Sequence, residues 1–361
     1  METEILNNNS ISKQKAQHFL SLDFIKFILS IIIVFHHFQQ CTGQKFANFN
    51  FFGGRIYVGY IVEFFFIISG FVCMYGIKHK TTGDFKIWFL NKCSRIYPMT
   101  IITVFITAFA LTLYRIVFGD FPLEMTLNIW NFLNSLTLTF IGSCVNIGYG
   151  INPPLWYLCI LLICYIVFYF GLWFSNRINI PKAYFFIFML SIGTAAVCYN
   201  LNLPFLNLST GRGFSAFFGG TLLFYLSEFK SKILIPISFI GILTTLPALV
   251  LNLGIGGEQW GIFTFVFFPS ILILALNFDS FFNSKFFKFL GGISFEIYIW
   301  HFPAIILLMC LKHFFGLEQV YTRTEMFIFT LAIVLFAIPM YLFIEKTLVK
   351  IIRKKVLEKI S

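Results

Sequence analysis

The feature that most constrains this chain is a series of apolar runs, each near the roughly 20 residues an α-helix needs to cross a hydrocarbon core of about 30 Å. Ten are read, at 20–38, 57–78, 96–118, 155–174, 183–200, 213–227, 233–253, 260–277, 290–311 and 325–346. Charged residues make up 11% of the 361 positions, against about 25% in a soluble domain, so a single water-soluble core is excluded. Membrane β-strands would be shorter and would alternate apolar with polar residues. The expected fold is therefore all-α, a polytopic membrane bundle of about ten transmembrane helices. Its parts are a polar N-tail at 1–19, a membrane domain at 20–347 and a basic C-tail at 348–361. Ten spans of about 20 residues leave only tails and short loops, so any chemistry lies among the helices.

The net charge of +11 would suit a nucleic-acid partner if it were clustered, but it follows the loops instead. One alternate set of loops holds Lys13, Lys15, Lys78, Lys80, Lys86, Lys92, Arg95, Arg177, Lys182, Lys230, Lys232, Lys285, Lys288, Lys346, Lys350, Arg353, Lys354, Lys355 and Lys359. The opposite set holds Lys45, Arg55, Arg212, Lys312 and Arg323, and the loop 119–153 has neither Lys nor Arg. The positive-inside bias places both termini in the cytoplasm, and the even number of spans agrees. The basic side is expected to touch anionic lipid, and no nucleic-acid partner is expected.

The N-terminal residues are acidic and Asn-rich, with no small-residue cleavage site after the first run, so that run is read as a retained helix. The eight cysteines show no metal spacing and read as small buried hydrophobes; no metal site is expected. Cys41 and Cys144 fall in outer segments and are close enough to the same side to pair, though nothing requires it. The loop 119–153 is read as a part-helical cap at the outer interface, with Trp130, Phe132 and Phe140 as anchors.

Charged groups inside a span cost about 2.5–3.5 kcal/mol each on insertion scales, so each needs a reason. In the first span, Lys26 and His37 are eleven residues apart, about 20° beyond three helical turns, and share a face. Asp23 and Ser30 flank that stripe, and His36 points about 80° away. One reading of this pattern is a local Asp23–Lys26 ion pair with both histidines decorating a helix end; the other is a functional stripe with Lys26 near the cytoplasmic side and His37 near the outer side. Glu63 lies at the depth of His37 in the second span, where a carboxylate can orient an imidazole; a lone Glu satisfied by a Ser, Tyr or water is the alternative. Ser69-Gly70 reads as a close-packing site. Lys92 and Arg95 stand one turn apart at the basic boundary of the third span, either as plain topology signals or, with Lys26, as a mouth for a phosphorylated ligand. NPPLWYL opens the fourth span, with Trp156 and Tyr157 read as interface anchors. Arg212 enters the sixth span from outside. Ser294, Tyr298 and His301 share a face of the ninth, read as a structural polar network.

These blocks resemble the acyltransferase-3 family of membrane acyltransferases over nearly the whole chain. Lys26 and His37 fit the family's first-helix spacing of a basic residue, ten others and a histidine. Glu63-Phe64-Phe65-Phe66-Ile67-Ile68-Ser69-Gly70 is similar to its second-helix block with one extra phenylalanine. Lys92-Cys93-Ser94-Arg95 matches its basic-x-x-Arg signature. NPPLWYL, SFEIYIWHFP and FIEK (Phe343 to Lys346) follow in the family's order, and Thr347 stands where a proline often follows. Many members append a soluble SGNH hydrolase-like domain, and none is read here.

The resemblance implies transfer of an acyl group, most often acetyl, from cytoplasmic acyl-CoA to a hydroxyl of a surface or lipid-linked saccharide at the cell membrane. The acyl-CoA is a co-substrate, with no bound cofactor. On that implication Lys26, Lys92 and Arg95 hold the donor's phosphates. His37 acts as base or acyl carrier, and Glu63 orients it. Asp23, Ser69, Trp156, Arg212, Tyr298 and His301 are supporting or acceptor-side residues. A transporter or glycan flippase and a scaffold of a polysaccharide-assembly complex are the competing classes. The acceptor, the acyl group and the oligomeric state are not readable from the sequence.

Overall fold

The computed structural model describes residues 18–46, 50–79, 84–143, 148, 150–229, 231–251 and 259–358. The chain is an all-α polytopic bundle, and each expected apolar run lies mainly on helical backbone over its described residues. The first half holds α1 (Leu20–Thr42), α2 (Ile61–His79), α3 (Phe85–Phe118), a short α4 (Ile129–Thr137), α5 (Trp156–Arg177) and α6 (Lys182–Cys198). The second half holds α7 (Leu208–Glu228), α8 (Leu234–Leu251), α9 (Gln259–Ile262), α10 (Phe268–Asn277), α11 (Lys285–Phe314), α12 (Arg323–Pro339) and α13 (Lys346–Glu358). Five π-helical residues join α9 to α10 and six join α12 to α13. The one strand pair among the described residues is a two-residue antiparallel ladder, Asn202–Leu203 with Leu206–Asn207.

Among the described residues, seven helices are long and apolar enough to cross a membrane by those criteria alone. The helices Lys182–Cys198 and Leu234–Pro247 are apolar but shorter. The helix α7 has 21 residues, but its first turns are polar, with Asn207 and Thr210 forming a reciprocal capping box that satisfies its first N–H groups.

Helix directions follow from paired contacts. On α1 and α11, Asp23 lies against Gly291, Ser30 bonds the Ser294 carbonyl and His37 stacks on His301. The residue numbers rise together, so these helices run in the same direction. On α2 and α7, Glu63 meets Arg212, Ile67 meets Gly220 and Lys78 pairs with Glu228, again parallel. Trp88 on Phe168 and Asn152 on Thr107 make α3 and α5 antiparallel.

Small residues permit the closest crossings. A side chain on Gly70 would overlap the Phe217 carbonyl oxygen, and one on Gly220 would overlap that of Ile67, so the Ser69-Gly70 close-packing expectation holds at the α2–α7 contact. Phenylalanine, 52 of 361 residues, fills the wider gaps. Phe168, Phe186 and Phe218 stack in series at 5.4 and 5.8 Å, tying α5, α6 and α7 together.

The third span's helix begins at Phe85 and not at 96, because Asp84 caps it by accepting from the Lys86 amide. Over its described part the basic segment 348–361 is helical to Glu358 and packs along α3. In the loop 119–153, α4 exposes Trp130 (54%) as an interfacial anchor would be, but Phe140 is fully buried over Gly150. Phe132 packs on Phe105. Cys144 lies outside the described residues, and with it the Cys41–Cys144 pairing.

Candidate functional site

A pocket of about 310 Å³ opens at the basic end of the bundle, walled by α1, α2, α3, α5 and α11. Lys26, Lys92 and Arg95 line it together, although they lie on two helices whose contact the sequence does not declare. Each cation is held differently. Lys26 Nζ is 2.6 Å from Asp23 Oδ1, so the local ion pair is present and Lys26 still borders the pocket. Asp23 also takes a hydrogen bond from His18. Lys92 Nζ sits over the rings of Tyr165 (4.8 Å) and Trp88 (5.4 Å) and donates to Cys73 Sγ, a cation–π cage. Arg95 is 56% exposed along its side chain and reaches Glu345 Oε1 at 3.9 Å from Nε.

The inner end of the pocket is closed by hydroxyls. Tyr157 Oη lies 3.3 Å from Ser69 Oγ, and Tyr298 Oη donates to the Pro154 carbonyl. The prolines that start α5 thus present a bare carbonyl to α11. Ser294 and Tyr298, which share a face of α11, form pocket wall, because that face turns toward Lys26 and Ser30.

Beyond Tyr298 lies the histidine cluster. Tyr298 packs edge-on against His301 at 6.0 Å, and His301 stacks on His37 at 5.1 Å and 24°. His37 is therefore two rings past the pocket wall, behind His301, and not among its lining residues. Its Nδ1 is 2.7 Å from Gln40 Oε1, and His301 Nε2 is buried with no hydrogen-bond partner among the described residues. A neutral His37 that donates from Nδ1 to that amide oxygen leaves Nε2 as the free lone pair. His36 is buried differently: its Nδ1 meets the Phe51 carbonyl at 2.7 Å, and its ring lies among Phe52 and Tyr57.

Glu63 does not orient His37. Its carboxylate is fully buried and grips Arg212, Oε1 to Nε at 2.5 Å and Oε2 to Nη2 at 2.9 Å, while Nη2 also reaches the Gly59 carbonyl at 3.1 Å. Both oxygens are thus committed to Arg212 in a planar fork, and the group that meets His37 Nδ1 is Gln40 instead. Trp156 is likewise no interface anchor. It faces the Arg212 guanidinium at 4.9 Å, with Tyr60 at 5.3 Å, because Arg212 brings a cation into the bundle beside it.

Four contributors were not singled out by sequence reasoning. Gln40 carries the readable signal of standing at i+3 from His37. Glu296 and Glu345 sit inside the recognised blocks SFEIYIWHFP and FIEK, buried and adjacent to each other. Trp300 Nε1 donates to Glu296 Oε2 at 2.8 Å. Arg353, counted only as a topology charge, lines the pocket.

The acyltransferase domain family matches residues 19–342 of the chain. No curated protein and no solved structure matches it.

Proposed function

The chain belongs to the acyltransferase-3 family, and from that premise we propose that it moves an acetyl group from acyl-CoA to a hydroxyl of a surface or lipid-linked saccharide. The proposal includes ten spans, both termini in the cytoplasm and residence in the cell membrane. The observation that carries it is the alignment of the basic pocket with the histidine cluster. Lys26, Lys92 and Arg95 gather at the open end, where cations suit a polyphosphorylated donor. Beyond the Tyr157 and Tyr298 hydroxyls that close it, His301 and His37 follow in line. In this reading the donor's long, thin pantetheine arm occupies the pocket with its thioester directed toward the histidine cluster.

In this reading His37 Nε2 takes the proton of the acceptor hydroxyl as its oxygen bonds to the thioester carbonyl carbon. The carbon–sulfur bond breaks, and the imidazolium returns the proton to the leaving thiolate. The products are the acyl ester and free coenzyme A. Gln40 holds the ring in place by its 2.7 Å contact, and the stacked His301 fixes its plane. The pair Glu63–Arg212 braces α2 against α7 on the acceptor side.

The test has two parts. Purified protein with acyl-labelled acetyl-CoA and a saccharide acceptor should form labelled ester. Surface glycans of cells lacking the protein should lose one ester substituent. Transport of a saccharide with no acyl transfer would favour the transporter reading instead.

A further inference from the structure

The cations at the pocket mouth differ in how far they are already neutralised. Lys26 has Asp23 at 2.6 Å, and Arg95 has Glu345 at 3.9 Å. Among the described residues, Lys92 and Arg353 have no carboxylate within 4 Å. Lys92 is instead enclosed by rings. Arg353 uses one guanidinium N–H, from Nε to Ser94 Oγ at 3.1 Å, out of five donors. It is exposed, lines the pocket and comes from α13, beyond the residues that match the family. Its place is set by the packing of α13 along α3, which lays Arg353 beside the residue that precedes Arg95.

We propose that α13 is a selectivity element of this pocket and that Arg353 binds the terminal phosphomonoester of the coenzyme A donor. The inference rests on the acyl-CoA reading above. If the thioester lies deep, beyond Tyr298, the nucleotide end of the donor lies at the mouth, where Arg353 stands. A phosphomonoester carries a charge of about −1.5 to −2 at pH 7, and a planar guanidinium with free donors matches it in charge and geometry. The cations nearer the pocket walls are then left to the diester phosphates.

The experiment titrates the purified full chain with coenzyme A and with dephospho-coenzyme A, which lacks only that monoester. Wild type should prefer coenzyme A by about tenfold or more, the value of a charged hydrogen bond. In Arg353→Ala, coenzyme A affinity should fall to the dephospho level while dephospho-coenzyme A affinity stays unchanged. Arg353→Gln, which keeps a donor for Ser94, serves if the alanine variant fails to fold, and Arg353→Lys should recover part of the preference. Lys92→Ala should weaken both nucleotides alike. Full preference for coenzyme A in Arg353→Ala or Arg353→Gln overturns the proposal. Equal binding of the two nucleotides by wild type overturns it while the donor reading stands. Binding of neither by wild type sinks both. Loss of affinity for anionic vesicles in Arg353→Ala with intact nucleotide preference would assign α13 to lipid and also overturn the proposal.

Discussion

Replacing Arg212 with methionine removes the cation from a carboxylate that has no other hydrogen-bond or ion-pair partner among the described residues. Glu63 is fully buried, and both of its oxygens are used by Arg212, at 2.5 and 2.9 Å. Breaking a buried pair by deleting one member costs about 3–5 kcal/mol, mostly the penalty of the charge left behind, whereas replacing both by apolar groups is often neutral. Arg212→Met should therefore destabilise the bundle by an amount in that range. Glu63→Leu should do the same, because the guanidinium is left with the Gly59 carbonyl and two aromatic faces. The double variant Glu63→Leu/Arg212→Met should be more stable than either single one. The assay is reversible unfolding in mixed micelles, analysed as a double-mutant cycle, with coenzyme A binding as a check because neither side chain lines the donor pocket. Single variants as stable as wild type, or a double variant as unstable as the sum of the two, would refute the argument that this pair is a brace needed in full or not at all.

Other outcomes can be stated with their measurements. His37→Ala should lower acyl transfer by about 10²–10⁴-fold with donor binding intact, while His36→Ala, whose ring faces Phe52 and Tyr57, should keep substantial activity; the reverse order of activities would move the base to His36. Lys92→Ala and Arg95→Ala should each weaken coenzyme A binding by about 1.5–3 kcal/mol, with Arg95 at the low end because its side chain is half exposed; unchanged isothermal titrations would return both to topology signals. A cysteine at exposed Asp120 should react with an impermeant thiol reagent on intact cells, and one at exposed Lys86 only after lysis; the opposite labelling would invert the bundle.

The sequence shows the bundle well, because crossing a hydrocarbon core forces apolar length, and that length is a local property. It also shows Lys26 and His37 on one stripe, since the face of a helix follows from spacing alone. What it does not show is pairing across helices. Glu63 and His37 lie at similar depth, and depth alone cannot say that Arg212, 149 positions away, claims the carboxylate first. Trp156 carries the same ambiguity: an indole at the start of a span suits lipid headgroups and a guanidinium equally until the neighbouring helix is known. Arg353 was hidden by a stronger signal, because a lysine- and arginine-rich end satisfies the positive-inside rule whether or not one of its members folds back onto a pocket.

The helix α1 runs unbroken from Leu20 to Thr42, with no glycine or proline inside it, and stops at Gly43 in the left-handed region. Lys26 and His37 are thus the two marks of a stiff ruler, about 16 Å apart at 1.5 Å per residue. One inserted residue between them would lengthen the ruler by only about 1.5 Å but would swing one mark by about 100°, off the face that α11 covers. Only changes of about a full turn keep both marks in line, and each shifts the reach by about 5.4 Å. The distance from the mouth cation to the imidazole is accordingly quantised. Between those steps, any finer adjustment of that distance has to come from elements other than α1.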